Sequence, residues 1–78
     1  DSAEFFDREW PVLAPRLIRF LAGAGVAADD REDVVQEAAL RLYRAWSTID
    51  QRRGVEPFAR TVALNVWRDR SRRNHNEA

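Results

Sequence analysis

At 78 residues the chain has room for one small domain with one core, and a domain of that size buries only about 60% of the surface its unfolded chain exposes. Its composition, 45% hydrophobic and 33% charged, is that of a folded globular domain and lies outside the low-hydrophobicity, high-net-charge range of disorder. The absence of cysteine excludes disulfide staples, thiolate metal ligands and thiol catalysis, and no apolar run approaches the roughly 20 residues of a membrane span. A single domain over residues 1–78, kept in the reducing cytoplasm and away from membranes, is the expectation.

The residue pattern predicts an all-α fold, a small bundle of three to four helices. Ser2 can cap a first helix, with Glu4 near the positive end of its dipole, and Phe5, Phe6, Leu13, Leu17, Phe20 and Leu21 recur at helical intervals. Pro11 and Pro15 lie within that stretch and each removes a backbone donor, so the first helix is expected to kink or break near Trp10 to Ala14. Gly23 and Gly25 mark its stop. Asp29 and Asp30 are N-cap candidates, and Asp29 with Glu32 three residues on approximates a capping box for a helix running to about Ser47. On that helix Val34, Val35, Ala38, Ala39, Leu42, Ala45 and Trp46 fall on one side, while Asp33, Gln36, Glu37, Leu40 and Arg44 fall on the other.

Ile49 to Glu56, carrying Asp50, Gln51, Arg52, Arg53 and Gly54, reads as a polar loop with a glycine hinge. Pro57 then sits where the first residue of a helix tolerates proline. In this last helix Phe58, Ala59, Val62, Ala63 and Val66 make the apolar side. Arg60, Thr61, Leu64, Asn65, Arg68, Ser71 and Arg72 fill the opposite arc, with Trp67 at its boundary beside Arg60, and residues 74–78 are expected to fray. The expected core is centred on Phe5, Leu17, Val35, Leu42, Trp46, Phe58 and Val62.

Net charge is zero, but it divides unevenly. Residues 1–50 hold six arginines against ten acids, and residues 51–78 hold seven arginines against three, so the two ends suit different partners. No catalytic constellation is visible: the only histidine is His75 in the expected tail, three scattered glycines cradle no phosphate, and the acids at Asp29, Asp30, Glu32 and Asp33 suit a helix N-terminus. Neither an enzyme nor a cofactor or metal site is expected. Two surface stripes remain. Leu40 among Asp33, Gln36, Glu37 and Arg44 is either the apolar centre of a protein contact or an ordinary exposed leucine. The arginines of the last helix, with Trp67 and Asn65, suit single-stranded DNA, although arginines in a last helical turn also complement the dipole.

Residues 30–46, DREDVVQEAALRLYRAW, resemble region 2.2 of extracytoplasmic-function sigma factors, and residues 57–73, PFARTVALNVWRDRSRR, resemble the helix of regions 2.3 to 2.4 that follows it. Residues 10–20, WPVLAPRLIRF, are similar to that family's first helix, so the resemblance covers nearly the whole chain. It implies a sigma factor region 2 domain, without the family's helix-turn-helix domain in this chain, that acts in transcription initiation. By this resemblance Asp33, Gln36, Glu37, Leu40 and Arg44 dock on the clamp helices of the largest subunit of the RNA polymerase core. Asp50, Arg52, Arg53, Gly54, Arg60, Thr61, Asn65, Trp67, Arg68 and Arg72 would meet the non-template strand of the minus-ten promoter element, and an anti-sigma factor is a further expected partner. Phe58 stands where the family usually has Trp, and Leu64 where Arg commonly precedes Asn65, differences that bear on which bases are read. The competing reading is a helical interaction module that binds an anti-sigma or adaptor protein and no DNA.

Overall fold

A computed structural model describes residues 2–77, with side chains as far as Arg73. Four α-helices follow one another, α1 (Ser2–Arg8), α2 (Trp10–Gly23), α3 (Ala28–Arg44) and α4 (Glu56–Glu77), with no strand among the described residues. The proline-rich helix does break, one residue earlier than expected, at Glu9. Pro11 lies in the first turn of α2, where its missing N–H costs nothing because the first turn has no intrahelical acceptors to satisfy. Proline therefore starts the second helix instead of bending the first, and Pro15 is carried inside α2. The stop after Gly23 is a Schellman turn. Gly25 takes φ +91, the Val26 N–H donates to the Leu21 carbonyl at 3.0 Å and the Gly25 N–H to that of Ala22 at 3.1 Å. Leu21 and Val26 are both buried, which is the apolar contact that accompanies this motif.

That turn overrides the expected cap of α3. Burying Val26 leaves Ala27 extended, at φ −61 and ψ 145, as the N-cap, with no side chain accepting there. Asp29 and Asp30 fall inside the first turn, close enough to the positive helix end to be stabilised by it, but the capping box of Asp29 and Glu32 does not form. At the other end α3 stops at Arg44, short of Ser47. The chain tightens into a 3₁₀ turn over Trp46–Thr48, where the Thr48 hydroxyl and N–H both donate to the Ala45 carbonyl, at 2.7 and 2.9 Å. Ile49, expected in the polar loop, is thereby carried into the core. A second short turn, Gln51–Arg53, is capped by Asp50 and ends at Gly54, whose φ of +82 favours glycine. α4 begins at Glu56, with Pro57 second in its first turn, and is helical through Glu77. The backbone of residues 74–77, expected to fray, continues α4 instead; the side chains from residue 74 on, that of His75 included, lie outside those described.

The helices α2, α3 and α4 pack around Leu17, Leu21, Val34, Ala38, Leu42, Ala59, Ala63 and Val66, all fully buried, and α1 lies against α2. Of the expected core, Phe5, Leu17, Val35, Leu42 and Val62 are buried. Trp46 is only partly buried, leaning on Phe5 with ring centroids 4.8 Å apart. Phe58 is the correction: it is 37% exposed, because it lies about 90° round α4 from the mean direction of Ala59, Val62, Ala63 and Val66. No helix of the described residues is long and apolar enough to cross a membrane.

One ion-pair group ties α2 to the start of α4. The Glu56 carboxylate accepts from Arg16 at 3.0 Å and from Arg60 at 2.8 Å, and the Arg60 guanidinium lies over the Phe20 ring, 5.1 Å from its centroid. The hydrogen bond from Arg16, reinforced by its charge and by Arg60, holds the Glu56 carboxyl below its ordinary value.

Two expectations follow. Leu17→Ala, at a fully buried site, should cost about 2 to 5 kcal/mol, whereas Phe58→Ala should cost on the order of 1 kcal/mol or less, since much of that ring already faces water. Urea unfolding followed by circular dichroism distinguishes them, and equal losses would return Phe58 to the core. Because the folded-state pKa of Glu56 is lowered, its stabilising contribution is present above the unfolded carboxylate value of about 4.3 and is lost as pH falls through the folded one. Glu56→Gln should therefore lower the melting temperature at pH 7, and the gap from the parent should close below about pH 4; a gap that persists in acid would mean the charge is not what matters.

Candidate functional site

The outward stripe of α3 is real in space. Asp33, Gln36, Leu40 and Arg44 are exposed, Leu40 at 56%, and Glu37 is half-buried. Their spacing of three and four residues keeps them on one face, opposite Val34, Val35, Ala38 and Leu42. Leu40 is therefore an apolar side chain in water with charged neighbours. Beside it Gln36, Glu32 and Leu40 border a groove of about 380 Å³ between α2 and α3, whose walls include Trp10, Ala14, Ile18, Val35 and Ala39. Tyr43, one further turn on, is 62% exposed yet rests against Phe6 at 6.2 Å between ring centroids. Periodicity had not singled it out, since Tyr43 belongs neither to the apolar side of α3 nor to its polar stripe.

The arc predicted on α4 divides into two. Thr61, Asn65, Arg68 and Arg72 are exposed and follow one another at intervals of four, three and four residues, and Phe58 precedes Thr61 on the same line. Arg60 and Leu64 lie on the side toward α2, where Arg60 is engaged by Glu56 and Phe20. Trp67 is half-buried and packs on the core instead of standing free. Arg68 has no ion-pair partner among the described residues, while Arg72 donates to Asp69 at 3.1 Å.

At the head of the Phe58 line the loop closes a hollow of about 270 Å³, lined by Ile49, Asp50, Arg53, Gly54, Pro57, Phe58 and Thr61. The structure thus brings together Asp50, Arg53, Gly54 and Thr61 of the predicted nucleic-acid residues, and adds Pro57 and also Phe58, which sequence reasoning had placed in the core. The signal that could have found Phe58 was its position on the edge of the apolar arc. Its lining mixes the apolar Ile49, Pro57 and Phe58 with the polar Asp50, Arg53 and Thr61, and the Thr61 hydroxyl donates back to the Pro57 carbonyl at 3.3 Å.

Ion pairs join the two faces. Arg41 donates to Glu37 at 2.8 Å and pairs with Asp69 of α4 at 3.0 Å, and Arg70 lies 3.7 Å from Asp33. Desolvation works against the Arg41 charge, but its hydrogen bonds with Asp69 and Glu37, and their charges, outweigh it and raise its pKa. A chain of alternating charges therefore runs Glu37, Arg41, Asp69, Arg72, from the acidic stripe of α3 to the basic stripe of α4.

No curated protein and no solved structure matches the chain significantly. The family model for sigma-70 region 2, however, matches residues 12–77, which takes in α3, the loop, α4 and all but the first two residues of α2, and so both stripes and the hollow between loop and helix. The chain belongs to the sigma-70 region 2 family, a non-enzymatic region of sigma factors that acts in transcription initiation with RNA polymerase core and promoter DNA.

Proposed function

We propose that this domain, of the extracytoplasmic-function type, docks on the clamp helices of the largest polymerase subunit through Asp33, Gln36, Glu37, Leu40 and Arg44. We further propose that it holds the non-template strand of the minus-ten element along the loop and α4. The observation that carries the reading is the line of Phe58, Thr61, Asn65, Arg68 and Arg72, which leads away from the hollow beneath Gly54 on the half of the chain with excess positive charge. A hollow whose lining includes Ile49, Pro57 and Phe58 suits one unstacked base, and a line of arginines with an amide suits the backbone and base edges beyond it. Arg52 and Arg53 reach into water at the loop and Arg60 flanks the line from the α2 side; Trp67 supports the helix from behind. Melting requires no catalytic group, because a surface that binds the opened strand and not the duplex shifts the equilibrium toward opening. The exposed Leu40 with its acidic and amide neighbours supports a protein contact of apolar centre and polar rim. An anti-sigma factor that covers the same stripe would keep the domain from polymerase.

The docking face is tested by Leu40→Asp with Gln36→Ala. Both side chains are exposed, so the double variant should fold and melt like the parent, yet lose polymerase binding, because a charge placed at the centre of a desolvated contact costs several kcal/mol. Unchanged affinity in a folded double variant would remove this face from the reading.

For the DNA face, binding of a promoter-like single strand should be weak and salt-sensitive. If about three phosphates are neutralised the slope is roughly −2, and fourfold more salt weakens binding about tenfold to twentyfold. Arg68→Ala should lower affinity for every sequence and flatten the slope. Asn65→Ala should instead shrink the preference for promoter over scrambled strands by about 1 to 3 kcal/mol and leave the slope nearly intact. Equal losses on both strands for both variants would reduce the face to a nonspecific basic patch. Absence of any salt-dependent binding would favour the protein-interaction module.

A further inference from the structure

The loop arginines do not stand free. Asp50 is a carboxylate in the lining of the hollow, and both of its oxygens are engaged by the two residues that the loop would offer to a DNA backbone. Its Oδ1 accepts from the Arg52 N–H at 3.1 Å and from Arg52 Nε at 3.3 Å, and its Oδ2 lies 3.8 Å from Arg53 Nε. The arginine side chains are otherwise in solvent, 93% and 88% exposed, against 46% for Asp50. We propose that Asp50 is an internal stand-in for a backbone phosphate, a selectivity residue that occupies Arg52 and Arg53 until a strand displaces it.

The inference rests on the proposed DNA face and gives Asp50 a role distinct from contact. Carboxylate and phosphate each present the planar guanidinium with an anionic edge of two oxygens, so one group can hold the place of the other. An exposed pair of this kind is weak, worth about 0 to 1 kcal/mol, so a phosphate can take it over. A strand that offers only its backbone must do so against the repulsion of a carboxylate that stays in the lining. A strand whose base also enters the hollow gains contacts with Phe58 and Thr61 that backbone binding alone cannot supply. Because a strand held by that base can leave the Asp50 pairs in place, whereas a strand that offers only its backbone must displace them, Asp50 lowers affinity most for strands without the fitting base. Its backbone role is separable: the Asp50 side chain caps the Gln51–Arg53 turn by accepting from the Arg52 N–H, and an asparagine oxygen accepts that bond as well as an aspartate does.

The test is Asp50→Asn, measured by fluorescence anisotropy with promoter-like and scrambled single strands across a salt series, beside Arg52→Gln/Arg53→Gln and the triple variant. Asp50→Asn should melt like the parent and bind the scrambled strand about twofold to fivefold more tightly. Its salt slope should steepen by about 0.7, the increment of one more neutralised phosphate, and its preference for the promoter-like strand should shrink. In the Arg52→Gln/Arg53→Gln background the same substitution should change scrambled-strand binding much less, since no guanidinium is left to release. If the parent binds strands with the expected salt dependence and Asp50→Asn binds them equally or less tightly, Asp50 is a contact or a cap only and the inference fails alone. If neither parent nor variant binds any strand, the DNA face itself falls and takes this role with it. An equal gain in the arginine-free background would also overturn it, since general repulsion and not occupancy of Arg52 and Arg53 would then be the cause.

Discussion

The arrangement of both candidate faces depends on how closely α4 approaches its neighbours. The side chains it turns inward are Ala59, Val62, Ala63 and Val66, and α3 meets them with Val34, Ala38 and Leu42. Alanine and valine at the contact allow helix axes to approach toward the short end of the usual 8–10 Å range. Bulkier residues on α4 would move it outward and separate the charges that now bridge the helices. Burial of Ala59, Val62, Ala63 and Val66 sets the rotation of α4 about its own axis, and at the present spacing Arg41 reaches Asp69 and Arg70 reaches Asp33. With that rotation set, Thr61, Asn65, Arg68 and Arg72 have only one direction to face. A surface line on α4 is thus a consequence of which side chains are small.

Much of this was legible in the sequence, and the misses share a cause. The all-helical bundle of the described residues, the outward stripe of α3 and the buried side of α4 from Ala59 to Val66 follow from periodicity, because a period of 3.6 residues determines which side chains share a face. What periodicity cannot report is how a chain enters and leaves a helix. Asp29 looked like a cap because it precedes an apolar run, but the Schellman turn and the burial of Val26 moved the helix start to Ala28. Ile49 looked like loop because its neighbours are polar, but the 3₁₀ turn after Ala45 swings it inward. Phe58 was assigned to the core on hydrophobicity although its angle on α4 puts it at the edge, and a large ring at an edge is free to line a hollow. Each miss is a tertiary or end effect of a few residues, and two of those residues, Ile49 and Phe58, line the hollow.

Zero net charge sits easily with a DNA-facing role once the pairing is considered. The arginines of the basic half are largely matched: Arg60 with Glu56, Arg70 with Asp33, Arg72 with Asp69, and Arg52 and Arg53 with Asp50. None of these pairs is deeply buried, and exposed pairs contribute about 0 to 1 kcal/mol each. They are held loosely enough to be exchanged for phosphate, and tightly enough that the long-range field of the domain is weak. Such a surface attracts duplex DNA poorly at a distance and engages a strand only on contact, where exchange becomes possible.

That weakness makes tethering necessary on the proposed reading. A strand face that neutralises about three phosphates gives little affinity at physiological salt, and opening duplex DNA costs roughly 1.4 kcal/mol for each stacked step lost. Binding of the opened strand must exceed that cost over several steps, which a free domain of this charge cannot do. Docking through the α3 stripe changes the reckoning: with polymerase already on the promoter, the strand is offered at an effective concentration set by geometry instead of by diffusion. The acidic face and the basic face are then two halves of one requirement. The first recruits the domain to where the second can act, and the weak second face keeps the domain from opening or occupying DNA anywhere else.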